Sequence, residues 1–252
     1  ADRARGGVAM ITVGGCGIDR PGGGLHLIGL HDDRFVPGLA RLAGAIHAGG
    51  ALALAQLYHA GKYAMSKLTG TRPVSASAIR SKLTGETPRE LSVDEIDEVQ
   101  RAFAAAAARA LEAGFDGVEV LASAGYLISQ FLSPVSNRRD DDYGGDFDGR
   151  VRFGREVVER VRAAAGDERL VTVRVAGADY VPGGLASEDS ARVARVFERA
   201  GADAINVTGG WHETRVPQLT MGVPRGAFLY LARAIRDAVS VPVMASNRCN
   251  DP

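Results

Sequence analysis

Ala113-Gly114-Phe115-Asp116-Gly117-Val118-Glu119-Val120 and Ala200-Gly201-Ala202-Asp203-Ala204-Ile205-Asn206-Val207 are two copies of one device. In each, a helical pattern stops at a glycine, a short turn carries an aspartate, and a run rich in β-branched residues begins. Short apolar runs recur at Val8–Val13, Ala51–Leu57, Gly117–Leu121, Leu170–Val175, Ala204–Val207 and Val241–Ala245. They do not alternate strictly with polar residues, which suits strands of a parallel sheet buried on both faces.

Between these runs lie helical patterns at Arg34–His47, Ser92–Ala113, Gly149–Ala165, Ser187–Ala200 and Arg225–Val239. Ser92-Val93-Asp94-Glu95 has the spacing of a capping box, and Ser187-Glu188-Asp189 opens its helix in a similar way. Repeated βα units close into a barrel or open into a doubly wound sheet. A doubly wound nucleotide fold carries G-x-G-x-x-G after its first strand. Val13-Gly14-Gly15-Cys16-Gly17 lacks that pattern, and no Gly-Lys-Ser/Thr follows Gly22-Gly23-Gly24. The expectation is therefore an α/β fold, a TIM (β/α)8 barrel. Eight strands close such a barrel and six runs are visible, so the first and last strands are expected to be missing from residues 1–252. The chain ends at Asn250-Asp251-Pro252, where another helix would start. Residues 61–91 have little periodicity and are expected to form a loop over the catalytic face.

Composition narrows the class. The 252 residues carry 30 Lys+Arg and 30 Asp+Glu, and 46% are hydrophobic, which supports a large core and argues against a nucleic-acid partner. Cys16 and Cys249 form no disulfide framework, and no CxxC marks a zinc or iron–sulfur site within the chain. No run is long enough for a membrane span, and the first residues do not lead into a signal-peptide core. A soluble, cytoplasmic protein is expected.

In a β/α barrel the chemistry lies at the C-terminal ends of the strands. Those positions hold Gly14-Gly15; Gln56, Tyr58 and His59; Ser123 and Tyr126; Arg174; Trp211, His212, Glu213 and Arg215; and Asn247-Arg248. Arg174 interrupts a buried run, where a guanidinium needs an acceptor. Either it pairs with a barrel carboxylate such as Glu119, or it contacts a bound anion or electron-rich ring. Gln56 faces a similar choice between a loop backbone and a heterocycle. Tyr126 is either a core aromatic or a proton donor, and His212 either a solvated loop residue or part of a site. His212-Glu213 lacks the second histidine of H-E-x-x-H, so a zinc peptidase is rejected. His26, His31 and His47 lie far from strand ends and are expected at the surface. Asp140-Asp141-Asp142, flanked by Arg138-Arg139, is expected to be an ion-pair and capping cluster rather than a metal site.

Several segments resemble a known family. Ala55-Gln56-Leu57-Tyr58-His59-Ala60-Gly61-Lys62-Tyr63 is similar to the "Q-L-x-H-x-G-R-Y" segment of the old yellow enzyme superfamily of FMN oxidoreductases. So is Gly125-Tyr126 through Ser133-Pro134, continuing through Asn137-Arg138-Arg139 to Asp142-Tyr143-Gly144-Gly145. Gly210-Trp211-His212-Glu213, Val223-Pro224-Arg225-Gly226-Ala227-Phe228 and Ser246–Pro252 resemble the FMN barrel of bacterial 2,4-dienoyl-CoA reductases.

The resemblance implies roles. Gln56 and Arg174 would hold the flavin pyrimidine edge, with Gly15 and Arg248 near the cofactor. Tyr126 would donate a proton, with His212 as its partner or as a donor to the substrate carbonyl. Val135, Ser136, Asn137, Arg138 and Arg215 would line the substrate path. The implied reaction is reduction of an activated C=C bond in an unsaturated carbonyl compound or thioester, including CoA thioesters, with NAD(P)H as electron donor. A [4Fe-4S] cluster and FAD would lie in segments outside this chain, and oligomerisation is left open. Leu121 and Ala124 stand where many superfamily members carry a polar pair that binds the substrate carbonyl, which moves that burden to Tyr126 and His212. Two rival readings are another flavin chemistry, such as amine oxidation, and a barrel that has lost its chemistry and serves as a binding subunit.

Overall fold

Along each strand the residues alternate between two fates, although the runs look uniformly apolar. In the computed structural model, which describes residues 1–23, 27–216 and 220–249, Ala53, Ala55 and Leu57 pack into one hydrophobic core, as do Val118, Val120 and Ala122, then Val171, Val173 and Val175, then Ile205 and Val207. The residues between them, Gln56, Glu119, Thr172, Arg174 and Asn206, face the other way, as the two-residue period of a strand requires. The outer face binds the helices and the inner face carries the polar groups.

The six long strands are β1 (Met10–Gly17), β2 (Leu52–Tyr58), β3 (Gly117–Ala122), β4 (Leu170–Ala176), β5 (Ala204–Thr208) and β6 (Val243–Ala245). Each pairs in parallel with the one before it. A two-residue strand, Ile28–Gly29, pairs with β1 at the other edge. Five long helices connect them: α1 (Val36–His47), α2 (Val93–Glu112), α3 (Phe147–Ala165), α4 (Ser187–Arg199) and α5 (Leu229–Arg236). The long strands follow one another in chain order without the reversal that defines a doubly wound sheet, so these are staves of a β/α barrel.

The repeated sequence device has a structural purpose. Asp116 Oδ2 accepts the backbone N–H of Ala53 at 2.8 Å, and Asp203 Oδ2 accepts that of Val171 at 2.8 Å. Each aspartate stitches the start of its strand to the start of the preceding one and satisfies an amide that the ladder leaves open. The Ser92 capping box forms as its spacing indicates: Ser92 Oγ accepts from Glu95 N at 3.2 Å, and Ser92 N donates to Glu95 Oε2 at 2.8 Å. Such a cap is worth about 1 kcal/mol.

Several boundaries differ from the sequence expectation. β1 starts at Met10, not Val8, and runs on through Gly14-Gly15, with a register shift between Val13 and Cys16. The Gly pair lies inside a bulged strand rather than after it. α3 starts at Phe147 rather than Gly149, because Asp146 is the cap and accepts from Gly149 N at 3.0 Å. Gly149 is there for close approach: a Cβ would lie 2.0 Å from Gly144 O. Ser187 does not cap α4; Ala186 holds that position. α5 begins at Leu229 rather than Arg225, and β6 at Val243 rather than Val241. His26 and Asn250-Asp251-Pro252 lie outside the described residues.

Residues 61–91 contain a 3-10 turn (Gly61–Tyr63), a short helix (Ser66–Thr69), and a small parallel pair, Val74–Ser75 with Arg89–Glu90. Among the described residues no helix is long and apolar enough to cross a membrane.

Candidate active site

The floor of the site is a polar row across the inner face. Glu119 is 1% exposed, and both of its carboxylate oxygens are occupied. Gln56 donates to Oε1 at 2.7 Å and Asn206 donates to Oε2 at 2.7 Å. The registers account for this: Gln56 lies opposite Glu119 on β3, and Arg174 lies between Leu121 and Asn206. With Glu119 satisfied by two amides, Arg174 does not pair with it. Its guanidinium donates to Ser246 Oγ at 3.4 Å, and among the described residues no carboxylate pairs with it. Of the two alternatives for Arg174, the salt bridge to Glu119 is therefore absent. The bulge in β1 makes room for this row: a Cβ on Gly14 would lie 2.5 Å from Gln56 Oε1, and one on Gly15 would lie 2.9 Å from the Tyr58 ring.

Above the floor a cavity of about 400 Å3 brings together Gly15, Gln56, Leu121, Tyr126, Arg174 and His212. Ser123, Trp211 and Asn247 also line it. Tyr126 reaches it because the chain turns sharply after β3, through left-handed Ala124 (φ 59) and Gly125 (φ 81). A side chain at Gly125 would strike the Tyr63 hydroxyl at 2.6 Å and Trp211 at 2.8 Å, so only glycine lets the turn pass. His212 N donates to Ala124 O at 3.2 Å, which ties the loop after β5 to the same turn. The result is a direct contact of 2.6 Å between His212 Nε2 and Tyr126 Oη. Burial pushes the Tyr126 phenol above its ordinary value and the His212 imidazole below its own, so at neutral pH both groups are uncharged.

A second constellation sits behind His212. The Lys62 and Glu213 side chains are 4% and 7% exposed and lie 3.2 Å apart. Glu213 also accepts from Lys82 N at 2.9 Å, and the Lys62 ammonium lies 5.1 Å from the centre of the Trp211 ring. The pair fastens residues 61–91 to the loop carrying His212.

Other sequence candidates lie elsewhere. Arg248 does not line the cavity; its Nε donates to Val223 O at 3.1 Å. Ser136 and Asn137 are buried pegs, with Ser136 Oγ donating to Gln130 O at 2.8 Å and Asn137 Nδ2 to Phe131 O at 2.8 Å. Val135, Arg138 and Arg215 are also outside the cavity lining. His59 is buried away from it, with Nδ1 accepting from Gly61 N at 3.0 Å and Nε2 lying 3.3 Å from Asp19. Asp141 pairs with Arg139 and Asp142 with Arg152, as expected of a charge cluster. Among the described residues no group of three metal-ligating side chains gathers. Leu121 and Ala124 put hydrocarbon on the cavity wall. Sequence reasoning missed Asn206 as the second amide on Glu119, and Lys62 as the partner of Glu213. Asn206 had a signal, since it occupies the place of Glu119 in the second copy of the repeated device.

The β/α barrel thus gathers an amide, a guanidinium and a tyrosine–histidine pair around one mouth. Residues 1–252 match the NADH:flavin oxidoreductase / NADH oxidase family, and the chain belongs to that family, the old yellow enzyme superfamily. It is 58% identical over 250 residues to a metal reductase of Desulforamulus reducens, covering 99% of this chain and 37% of that protein. It is 36% identical to an NADH oxidase of Thermoanaerobacter brockii, covering 99% and 39%. Among solved structures, a 2-naphthoyl-CoA reductase in complex with 2-naphthoyl-CoA superposes with a TM-score of 0.95 at 31% identity, over 100% of this chain and 40% of that one. An old yellow enzyme homologue of Zymomonas mobilis gives 0.80 at 28% identity, over 94% and 68%. The chain thus spans about two fifths of the length of these two curated relatives.

Proposed function

We propose that this barrel binds FMN and reduces an activated C=C bond of an unsaturated carbonyl compound or thioester, with NAD(P)H as the source of electrons. The observation that carries the reading is the 2.6 Å Tyr126–His212 contact opening into the same cavity as Gln56 and Arg174. The donor set fits a flavin: the Arg174 guanidinium, which no carboxylate pairs among the described residues, and the Gln56 amide, which Glu119 holds in place, suit the carbonyl and N–H edge of an isoalloxazine ring, and Ser123 Oγ is a buried polar atom in the cavity wall with no partner among the described residues. When bound, FMN supplies the hydride that adds to one alkene carbon. The Arg174 cation would offset negative charge on a reduced ring held there.

Tyr126 then gives its proton to the other carbon, or to the conjugated enolate that leads to it. With its proton on Nε2, His212 donates to Tyr126 Oη, which leaves the phenol O–H free for the substrate and stabilises the phenolate left behind. Solvent returns the proton at the open mouth. The balance is NAD(P)H, one proton and the alkene giving NAD(P)+ and the saturated product. Leu121 and Ala124 offer no hydrogen bond to the carbonyl from their side chains, so its charge falls to the tyrosine–histidine pair.

The 58% identity to a metal reductase favours a second reading, in which electrons leave the flavin for a metal-ion acceptor. The two separate cleanly. In anaerobic single turnovers of the reduced, flavin-loaded protein, C=C reduction requires Tyr126, whereas electron transfer to ferric citrate does not. Rapid oxidation by ferric citrate with no turnover of any enoyl thioester would replace the first reading with the second.

Arg174→Met is expected to weaken FMN binding by about 10–100-fold, the value of a charge-assisted hydrogen bond. Fluorescence titration of the flavin-stripped protein measures this without reference to activity. Unchanged affinity would remove Arg174 from the cofactor site.

A further inference from the structure

Tyr58 separates two cavities. On one side lies the cavity of about 400 Å3 that holds Tyr126 and His212. On the other lies an annex of about 210 Å3, lined by Ala60, Ala64, Met65 and Leu68 as well as by Tyr58 and Leu27, which both cavities share. No acid or base other than tyrosine hydroxyls lines the annex among the described residues. The chain shapes it deliberately. Gly22 sits so close to the His59 ring that a Cβ would fall 2.3 Å from it, while Ala60 N donates to Gly22 O at 2.9 Å. The Ser66–Thr69 helix contributes Leu68 to its wall. At its rim Leu27 and Met65 are 41% and 37% exposed, leaving apolar surface in water beside an apolar hollow.

The Tyr58 ring is the partition. It meets the Tyr126 ring edge-on, with centroids 4.7 Å apart, so an apolar group leaving the proton donor in this direction passes Tyr58 first. We propose that the annex is the subsite for an alkyl chain of the substrate, and that Tyr58 and Leu68 set the chain length and bulk the enzyme accepts. The inference rests on the reductase reading and deepens it by assigning two specificity-determining residues, Tyr58 and Leu68, to the part of the substrate that extends away from the reacting bond. The described residues of the lining carry no charge, and such a wall beside the reacting groups rewards each methylene it removes from water and offers nothing to a charged tail.

The test is calorimetric binding of a series of trans-2-enoyl thioesters of increasing chain length to the oxidised, flavin-loaded protein. Affinity is expected to rise up to about fourfold per added methylene until the annex is full, and then to level off. Leu68→Trp, which fills the annex without touching the main cavity, should end the rise several carbons earlier and leave the shortest thioester's Kd unchanged. Leu68→Ala should extend it, so opposite shifts from one position guard against a folding defect. Tyr58→Ala should admit branched chains that the wild type rejects. Binding of the shortest thioester with no dependence on chain length, or identical profiles for both Leu68 variants and the wild type, would overturn the annex alone. Failure of every thioester to bind, the shortest included, would overturn the reductase reading and the annex with it.

Discussion

Tyr126→Phe is expected to slow C=C reduction by at least about 100-fold, within the 10²–10⁴ range of a positioned general acid. The substitution removes little else. The ring keeps its edge contacts with Tyr58 at 4.7 Å, Tyr63 at 6.0 Å and His212 at 5.0 Å, so the cavity wall stays in place. His212 sits at the exposed mouth, where water takes over the lost hydrogen bond. Flavin affinity and reduction by NAD(P)H should therefore match the wild type, and the defect should be confined to the oxidative half-reaction followed by stopped-flow absorbance. The pH profile adds a second check. Burial raises the Tyr126 pKa, so the phenol keeps its proton past its ordinary value of about 10, and burial lowers the His212 pKa, so the imidazole stays neutral to below about 6.5. The single-turnover rate should thus be level from about pH 6.5 to about pH 10. A variant that reduces enoyl thioesters at the wild-type rate would show that the proton comes from another group.

Much of this site was legible in the sequence because polar residues inside apolar runs are costly unless used. Gln56 and Arg174 stood out on that ground, Tyr126 and His212 because they follow the C-terminal ends of strands, and all four line one cavity. The barrel itself was legible from the two copies that run into Glu119-Val120 and Asn206-Val207, and their aspartates, Asp116 and Asp203, perform one stitching task in two places. Glycines misled wherever packing rather than chain reversal demanded them. Gly14-Gly15 looked like the end of a strand and is instead the gap through which Gln56 and Tyr58 pass; Gly149 looked like a helix start and is a close contact with Gly144. Asn137 and Ser136 looked available for substrate, yet their polar atoms are spent on backbone carbonyls of Gln130 and Phe131 that no local pattern exposes. The Lys62–Glu213 pair spans 151 positions, so no local pattern linked its halves.

That pair should be the most fragile polar contact in the fold. Lys62 and Glu213 are each more than nine-tenths buried, and the lysine ammonium is the only cation paired with the carboxylate among the described residues. Taking two charges out of water is costly and their attraction repays much of it, so the pair adds modest net stability while each half depends on the other. Lys62→Met leaves Glu213 charged and buried, with only Lys82 N and Ser81 Oγ to accept from. The expected loss is about 3–5 kcal/mol, or a Tm lower by roughly 6–20 °C for a chain of this size. The catalytic consequence follows from position. Glu213 is the neighbour of His212, and Lys62 supports the face of Trp211, so releasing either frees the loop that holds the imidazole on Tyr126. In the folded fraction at low temperature, the proton-transfer rate should drop while flavin affinity stays unchanged. Lys62→Met combined with Glu213→Gln removes the stranded charge and should recover more than half of the lost stability without restoring the full rate, because an amide beside a thioether does not fix the loop as an ion pair does. Thermal melts of the two variants and the wild type test the argument: if Lys62→Met alone melts within a degree or two of the wild type, Glu213 has found water or a proton, and the loop is not held by charge.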